Sequence, residues 1–355
     1  MNYIRGFNGL RAFSVFFVVS THIGLYEFLL KRGFYHPNLD VLFSGNTGVQ
    51  VFFTLSGFLI TLILLKEYNK KGSISLKNFY IRRFLRLLPP LIILLCLVSI
   101  FMFLKLIPRS FLGLIMSATY TYNFIPLKFY TGELGHTWSL AVEEQFYFLW
   151  PMALLVFATT RKRFYVIGAA IGLCIAAAFI LRNLSVTNGG EIFPLDSLYT
   201  VDRWLFPAIA PIMIGALAAS LILAPGNRLL LNFKDKIWPL AAFLFFYVLP
   251  VFLPAFLLPV QAIIQSLGIA LLLIWIYYNQ QSSLCNFLEI KWINYLGKIS
   301  YGIYIYQGFF LRTGPGESAI MVQYFPYNLL CTILAAIVSY EIIEKPVLKF
   351  KTKFA

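Results

Sequence analysis

An arginine and a histidine at the two ends of one apolar run are well placed to do chemistry in this sequence. Arg11 opens the run and His22 closes it. On an α-helix the two residues are three turns plus roughly 20° apart, so they share a face and lie about 16 Å apart along the axis. The imidazole titrates near neutral pH and can act as a general base or proton relay; the alternative is a polar packing contact between helices.

A basic stretch further along could bind an anion. Arg82, Arg83 and Arg86 are spaced at i,i+3 and i,i+4, which predicts a cluster of guanidinium groups on one helical face. Guanidinium groups match the geometry of phosphate, and three of them repel one another unless an anion lies among them. The alternative is topogenic charge close to anionic lipid headgroups.

Two adjacent carboxylates, Glu143 and Glu144, enter a predicted helix that is rich in aromatic residues. Adjacent helical residues point about 100° apart, so the two carboxylates are not expected to face the same site. A buried carboxylate needs a partner, and His22 is the obvious one. We therefore predict His22, Glu143 and Glu144 as catalytic residues, with Glu143 orienting the imidazole and stabilising its cation. The alternative is a carboxylate at the interface, in water.

Polar residues at helical spacing could line a substrate site next to these groups. Ser139 and Tyr147 share the helical face of Glu143. Later in the chain, Tyr301, Tyr304 and Gln307 follow one another at steps of three residues. The predicted lining residues are Ser139, Tyr147, Tyr301, Tyr304 and Gln307.

The composition indicates where these residues lie. Of the 355 residues 60% are hydrophobic and 12% are charged, and the mean hydropathy is +0.79, whereas soluble domains carry about 25% charged residues. We predict an all-α polytopic membrane protein. No soluble extramembrane domain is recognisable, so residues 1–355 are predicted to form one membrane domain.

Apolar segments of spanning length predict ten transmembrane helices. They fall at 9–29, 46–66, 88–107, 138–158, 164–182, 203–224, 237–255, 259–279, 297–313 and 323–343. The segment 110–127 is shorter and is interrupted by polar residues and Pro126, so it is predicted as an interfacial or re-entrant helix.

The basic residues predict the orientation. Of the 29 Lys and Arg residues, 21 fall in one set of alternate loops and 8 in the other, which favours both termini in the cytoplasm. The net charge of +15 is then explained by topology, and we expect no nucleic-acid partner. The three histidines lack metal-ligand spacing, so no metal is expected.

In this order, the sequence features resemble the integral-membrane acyltransferase family 3, which acylates saccharides and related alcohols across the bacterial cytoplasmic membrane. The motifs that carry the resemblance span nearly the whole chain. They are Gly9-Leu10-Arg11 with His22, Gly48-Val49 to Leu59, Arg82 to Arg86 with Pro89, Trp138 to Tyr147, Leu296 to Tyr304, and Glu344-Lys345-Pro346.

The resemblance implies acetyl-CoA, or another acyl-CoA, as a donor from the cytoplasm, and an acceptor hydroxyl on the outer side or within the membrane. It implies His22 as the essential histidine with Arg11 as its partner, Arg83 and Arg86 as paired arginines, and Glu143 as the motif glutamate. The chain departs from the family at Asn8, where members often have Asp, and at Gln307, where they often have His. A location in the bacterial cytoplasmic (inner) membrane follows.

Together these features predict a membrane O-acetyltransferase that moves an acyl group from acyl-CoA to a cell-surface or lipid-linked saccharide. Arg11, Arg82, Arg83 and Arg86 would hold the coenzyme A phosphates, and His22 would act as a base or transiently carry the acyl group. Acyl-CoA, the saccharide and membrane lipids are the expected partners. One rival is a flippase or exporter of a lipid-linked saccharide, and another is a non-enzymatic scaffold or sensor.

Overall fold

The regular structure of the protein is helical. A computed structural model describes residues 3–34, 36, 39–157, 161–187, 203–224, 233–311 and 320–350, and every regular element in these ranges is a helix. This confirms the all-α prediction. Residues 158 and 312–313 of the predicted spans lie outside the described residues. The α-helices are α1 Phe7–His22, α2 Leu25–Lys31, α3 Asp40–Phe43, α4 Gly45–Lys71, α5 Leu76–Phe103, α6 Phe111–Ala118, α7 Thr137–Phe157, α8 Lys162–Thr187, α9 Leu205–Ala208, α10 Ala210–Ile222, α11 Trp238–Val248, α12 Gln261–Tyr278, α13 Ser283–Leu288, α14 Lys291–Leu311, α15 Tyr327–Ser339 and α16 Lys345–Phe350.

Long apolar helices confirm a polytopic membrane protein. In the described ranges six helical segments are long and apolar enough to cross a bilayer. They are α4, α5, α7, the first 20 residues of α8, α12, and the continuous segment Tyr327–Phe350, in which a π-helical turn joins α15 to α16. The bent pair of α1 and α2 makes a seventh if it is one span.

The ten predicted segments each contain a helix, but three of them lack a full-length apolar span. α10 has 13 residues and α11 has 11. Prolines explain both lengths, because Pro207 and Pro211 precede or open α10, and Pro250 and Pro254 follow α11. α14 has 21 residues, but its first turns are polar.

The segment 110–127 does not form a spanning helix, in line with the sequence prediction. α6 has eight residues, which is about 12 Å of helix. The chain then continues in short 3-10 turns at Tyr122–Phe124 and Leu127–Phe129.

The first predicted span, 9–29, is broken rather than continuous. α1 ends at His22, and α2 departs at 62°. Gly24 takes a left-handed conformation with φ of 71° between them, which glycine adopts without the steric penalty of a side chain. His22 therefore occupies the last position before a break. Irregular backbone at membrane depth is tolerated where protein covers it or where it lines a cavity.

Close packing against α4 fixes the centre of the bundle. A side chain at Gly57 would overlap the backbone of Ile212, and one at Gly215 would overlap the backbone of Thr54, so α4 and α10 cross in direct backbone contact. On another side α1 packs between α4 and α14. The helix that carries Arg11 and His22 is thus held between two neighbours.

We expect Gly215→Leu to lower the melting temperature of the detergent-purified protein, because the added side chain has to separate α4 from α10 and overpacking costs about 1–3 kcal/mol or more. Gly168→Leu is the matched control, since a Cβ at Gly168 meets no atom within 4 Å. Equal melting temperatures for the two variants would contradict the close crossing.

Candidate functional site

Five helices enclose a cavity of about 110 Å³ that we call the arginine cavity. α1, α4, α5, α7 and α14 contribute its walls. Its polar lining residues are Arg11, Ser56, Arg83, Arg86, Ser139, Glu143, Tyr147, Ser300, Tyr301 and Tyr304. Pro89 and Pro90 lie one turn after Arg86 in α5 and remove helical N–H donors there. Tyr301 donates a hydrogen bond of 2.9 Å to the Leu87 carbonyl beside them.

Glu143 is held by hydroxyl groups inside the arginine cavity. Its Oε1 accepts hydrogen bonds from Ser56 and from Tyr147. The guanidinium of Arg83 stacks over the Tyr147 ring at 3.6 Å from the centroid, a cation–π contact. The carboxylate, the phenol and the arginine therefore form one unit across α4, α5 and α7.

Positive charge exceeds negative charge in this cavity. Arg11, Arg83 and Arg86 line it, but Glu143 is the one carboxylate among its lining residues. Nε of Arg83 is buried without a hydrogen-bond partner, and Arg86 makes no hydrogen bond or ion pair to another described residue. Guanidinium groups with unused hydrogen-bond donors would bind an anion, since a desolvated charge is costly when it is unpaired.

Asn8 orients Arg11. Its Oδ1 accepts a hydrogen bond of 3.2 Å from Arg11 Nη1, and its Nδ2 donates to the Tyr3 hydroxyl and to Asn294. Tyr3 in turn donates to Glu289 at 2.8 Å. Burial and this hydrogen bond raise the pKa of Tyr3 to about 12, so the phenol keeps its proton as a donor. The amide at position 8 thus supplies the acceptor that Arg11 needs.

Arg82 does not join the other two arginines of its motif. Its Nη2 lies 3.7 Å from Glu67, and it does not line the arginine cavity. The prediction that all three guanidinium groups cluster was therefore wrong for Arg82. The physical reason is that adjacent helical residues diverge by about 100°, and α4 offers a carboxylate on the Arg82 side.

A second cavity, of about 170 Å³, surrounds His22, and we call it the histidine cavity. His22 Nδ1 lies 2.6 Å from the carbonyl oxygen of Val18 in its own helix. A carbonyl can only accept, so Nδ1 carries the proton and Nε2 is the basic nitrogen. The last turn of α1 therefore sets the tautomer of His22.

Gln307 and His136 also line the histidine cavity. Gln307 has no exposed surface, and neither its Oε1 nor its Nε2 has a hydrogen-bond partner in the described ranges. The His136 ring lies against Gly308, where any side chain would overlap it. A fully buried amide of this kind normally bonds to water or to a ligand.

One tyrosine stands between the two cavities. Tyr304 and Val49 line both of them. The Tyr304 hydroxyl lies 2.5 Å from Ser139 Oγ and 3.2 Å from the His136 carbonyl oxygen. The arginine and histidine cavities therefore share a wall that is formed by the side chains of Tyr304 and Val49.

The expected contact between Glu143 and His22 is absent, and that prediction was wrong. Glu143 lines the arginine cavity and His22 the histidine cavity. Hydroxyl groups on α4 and α7 reach Glu143, while the backbone of α1 satisfies His22. Glu144 lines neither cavity. It lies in an apolar groove with Tyr120 and Gln145, and this groove shares Arg83 and Tyr147 with the arginine cavity.

The sequence reasoning missed Ser56 as the partner of Glu143 and His136 as a lining residue of the histidine cavity. Ser56 and Glu143 are 87 positions apart, so no local spacing links them. His136 had a visible signal, because it directly precedes the helix that carries Ser139 and Glu143. Within the described ranges no three His, Cys, Asp or Glu side chains form a group that could hold a metal ion.

The fold and the site define a class: a polytopic helical membrane protein with a cationic cavity that adjoins a cavity lined by His22. The model of the acyltransferase domain family matches residues 4–343. The chain therefore belongs to this acyltransferase family, as the sequence motifs predicted.

Curated relatives agree with this assignment. The peptidoglycan O-acetyltransferase OatA of Listeria monocytogenes is 27% identical over 98% of this chain and 56% of its own length. YrhL of Bacillus subtilis, provisionally named for the same activity, is 29% identical over 97% of this chain and 55% of its own length. A provisionally named O-acetyltransferase of Staphylococcus aureus strain COL is 36% identical over 53% of this chain and 31% of its own length.

The chain spans about half the length of the first two curated relatives that it matches. No solved structure matches it.

We expect Tyr147→Phe to lower the melting temperature of the purified protein. The change keeps the ring under Arg83 but removes the hydroxyl that binds Glu143, and a hydrogen bond to a charged group contributes about 1.5–3 kcal/mol. Tyr80→Phe is the control, because its hydroxyl donates to the Phe148 carbonyl away from Glu143. A melting temperature for Tyr147→Phe equal to that of the control would argue against the Glu143 unit.

Proposed function

We propose that this protein is a membrane O-acetyltransferase that moves an acetyl group from acetyl-CoA to a hydroxyl of a saccharide. The family and the names of its relatives support acetyl transfer. The observation that carries the proposal is the shared wall at Tyr304, because the cavity that Arg83 and Arg86 line meets the cavity that His22 lines at this wall.

The arginine cavity is the proposed donor site. Arg11, Arg83 and Arg86 would bind the phosphates of coenzyme A, which is consistent with the free Nε of Arg83 and the excess of positive charge. The pantetheine arm would then extend along α1 past Tyr304. Its extended length is on the order of the ~16 Å between Arg11 and His22. Arg82 is left out because it pairs with Glu67.

His22 is the proposed general base. Nε2 takes the proton of the acceptor hydroxyl while the hydroxyl oxygen attacks the thioester carbonyl. A C–O bond forms, the C–S bond breaks, and the departing thiolate recovers the proton from the imidazolium. Because Nδ1 is bound to Val18, the ring keeps its orientation during both transfers.

Glu143 is the proposed positioning residue of the donor site. It anchors Tyr147, and Tyr147 supports the Arg83 guanidinium that would bind phosphate. We assign Glu144 no part in the transfer, since it lines neither the arginine cavity nor the histidine cavity.

The proposed acceptor is a cell-surface or lipid-linked saccharide, and the names of OatA and YrhL make peptidoglycan one member of that class. The proposed location is the bacterial cytoplasmic membrane, with both termini and the arginine cavity toward the cytoplasm. The uneven distribution of Lys and Arg supports this orientation.

We expect His22→Ala to reduce acetyl transfer at least 100-fold, because a positioned general base contributes about 10²–10⁴ in rate. The measurement is transfer from radiolabelled acetyl-CoA to cell-wall glycan in membranes, with immunoblotting to establish equal insertion. His36→Ala is the control, since His36 lines neither cavity. Normal transfer by the His22 variant would exclude the proposed base.

Replacing Arg83 or Arg86 with Gln should raise the KM for acetyl-CoA about tenfold or more, because each change removes a charged phosphate contact. Arg82→Gln should leave that KM close to the wild-type value. Three equal effects would indicate that the motif acts only through total charge.

The rival function is a flippase or exporter of a lipid-linked saccharide. Transfer by purified protein in detergent, where no membrane separates donor from acceptor, would exclude transport as the primary activity. Donor-independent saccharide movement in vesicles, with no transfer in detergent, would favour the rival.

A further inference from the structure

Three neighbouring clefts, the first of which contains His22, are all lined by Asn46. The first is the histidine cavity. The second, the polar cleft, is about 630 Å³ and is lined by Tyr26, Glu27, Asp40, Thr47 and Gln50 among others. The third, the side cleft, is about 550 Å³ and includes Gln50, Trp138 and Arg203. Asn46 borders each of the three.

The three clefts border one another. The polar cleft shares Thr21, Ser44 and Asn46 with the histidine cavity. The side cleft shares Asn46, Val49, Trp138 and Arg203 with it. A ligand in either cleft would therefore reach the histidine cavity at Asn46.

Two amide side chains form the junction. Asn46 and Gln50 are one turn apart in α4 and share a face. The Asn46 side chain is exposed and makes no hydrogen bond to another described residue. Gln50 Oε1 is buried without a partner in the same ranges. Both amides are therefore available to a ligand, and a buried oxygen left alone costs free energy that a donor would recover.

The side chains that line the three clefts indicate the class of ligand that would bind there. Amides donate and accept hydrogen bonds at once, as sugar hydroxyls do. Tyr26 offers an aromatic face on which the apolar face of a sugar ring can pack, whereas the Trp138 ring has the Arg203 guanidinium over it, 5.0 Å from the centroid. Glu27 and Asp40 line the polar cleft without a basic residue in its lining, which disfavours an anionic ligand there. The ligand that fits is a neutral saccharide.

The size of the clefts indicates how long the bound saccharide is. Single ligand sites usually measure about 300–1,000 Å³, and the polar and side clefts each reach that size beside the smaller histidine cavity. We infer that Asn46 and Gln50 bind the acceptor as a neutral oligosaccharide of several sugar units, with one unit in the histidine cavity. The role of His22 at that unit rests on the proposed function; the binding of the oligosaccharide does not.

The test is calorimetric binding of N-acetylglucosamine and its linear trimer to the full chain in detergent, without acetyl-CoA. The trimer should bind at least about tenfold more tightly than the monomer, since it occupies more than one cleft. Asn46→Ala, Asn46→Asp and Gln50→Ala should each weaken trimer binding about fivefold or more, the effect of one lost hydrogen bond. Asn69→Ala is the matched control, because Asn69 is exposed near the other end of α4.

The outcomes separate this inference from the proposed function. Equal affinity for monomer and trimer, no binding of the trimer, or wild-type affinity in the Asn46 and Gln50 variants would overturn it. Acetyl-CoA binding by the same variants should equal that of the wild type. Trimer binding of the expected strength without acetyl transfer to the trimer would count against the proposed function and leave the oligosaccharide site in place.

Discussion

The excess of guanidinium groups in the arginine cavity is the constraint on which the site depends. Burying several cations among membrane helices is expensive unless each is paired or stacked. The protein meets this cost in part: Asn8 accepts from Arg11, and Tyr147 lies under Arg83 and is itself fixed by Glu143. Hydrogen-bonding capacity on Arg83 and Arg86 is left over. This unused hydrogen-bonding capacity makes the cavity suited to a phosphate ligand, whereas arginines with a purely structural role would be fully paired.

The break after α1 concerns the orientation of His22. A histidine that acts as a base has to be oriented by a hydrogen bond to the ring nitrogen that keeps its proton. Here the Val18 carbonyl fixes Nδ1, and Gly24 lets the chain turn away directly after His22. The guanidinium groups proposed to bind the donor and the imidazole proposed as the base are thus located in different cavities, with Tyr304 between them.

Patterns within one helix were predictable, and contacts between helices were not. Spacing alone placed Arg11 and His22 on one helix, and it found Ser139, Tyr147, Tyr301, Tyr304 and Gln307, all of which line one cavity or both. It failed for Glu143, because the partner of a side chain depends on which helices pack together. It also overestimated the lengths of α10 and α11, because prolines shorten apolar segments that hydropathy counts as whole.

The two departures from the family pattern have different consequences. At position 8 an amide oxygen accepts from Arg11 as a carboxylate would, so the arginine keeps its orientation with one negative charge fewer in a cavity that needs anions from outside. At position 307 an amide replaces an imidazole, and both of its polar atoms are buried without a protein partner in the described ranges. Gln307 has no titratable proton, so it cannot act as a general acid or base. Its donor and acceptor suit a hydroxyl-bearing ligand, and this makes the histidine cavity the natural end of the clefts that meet at Asn46.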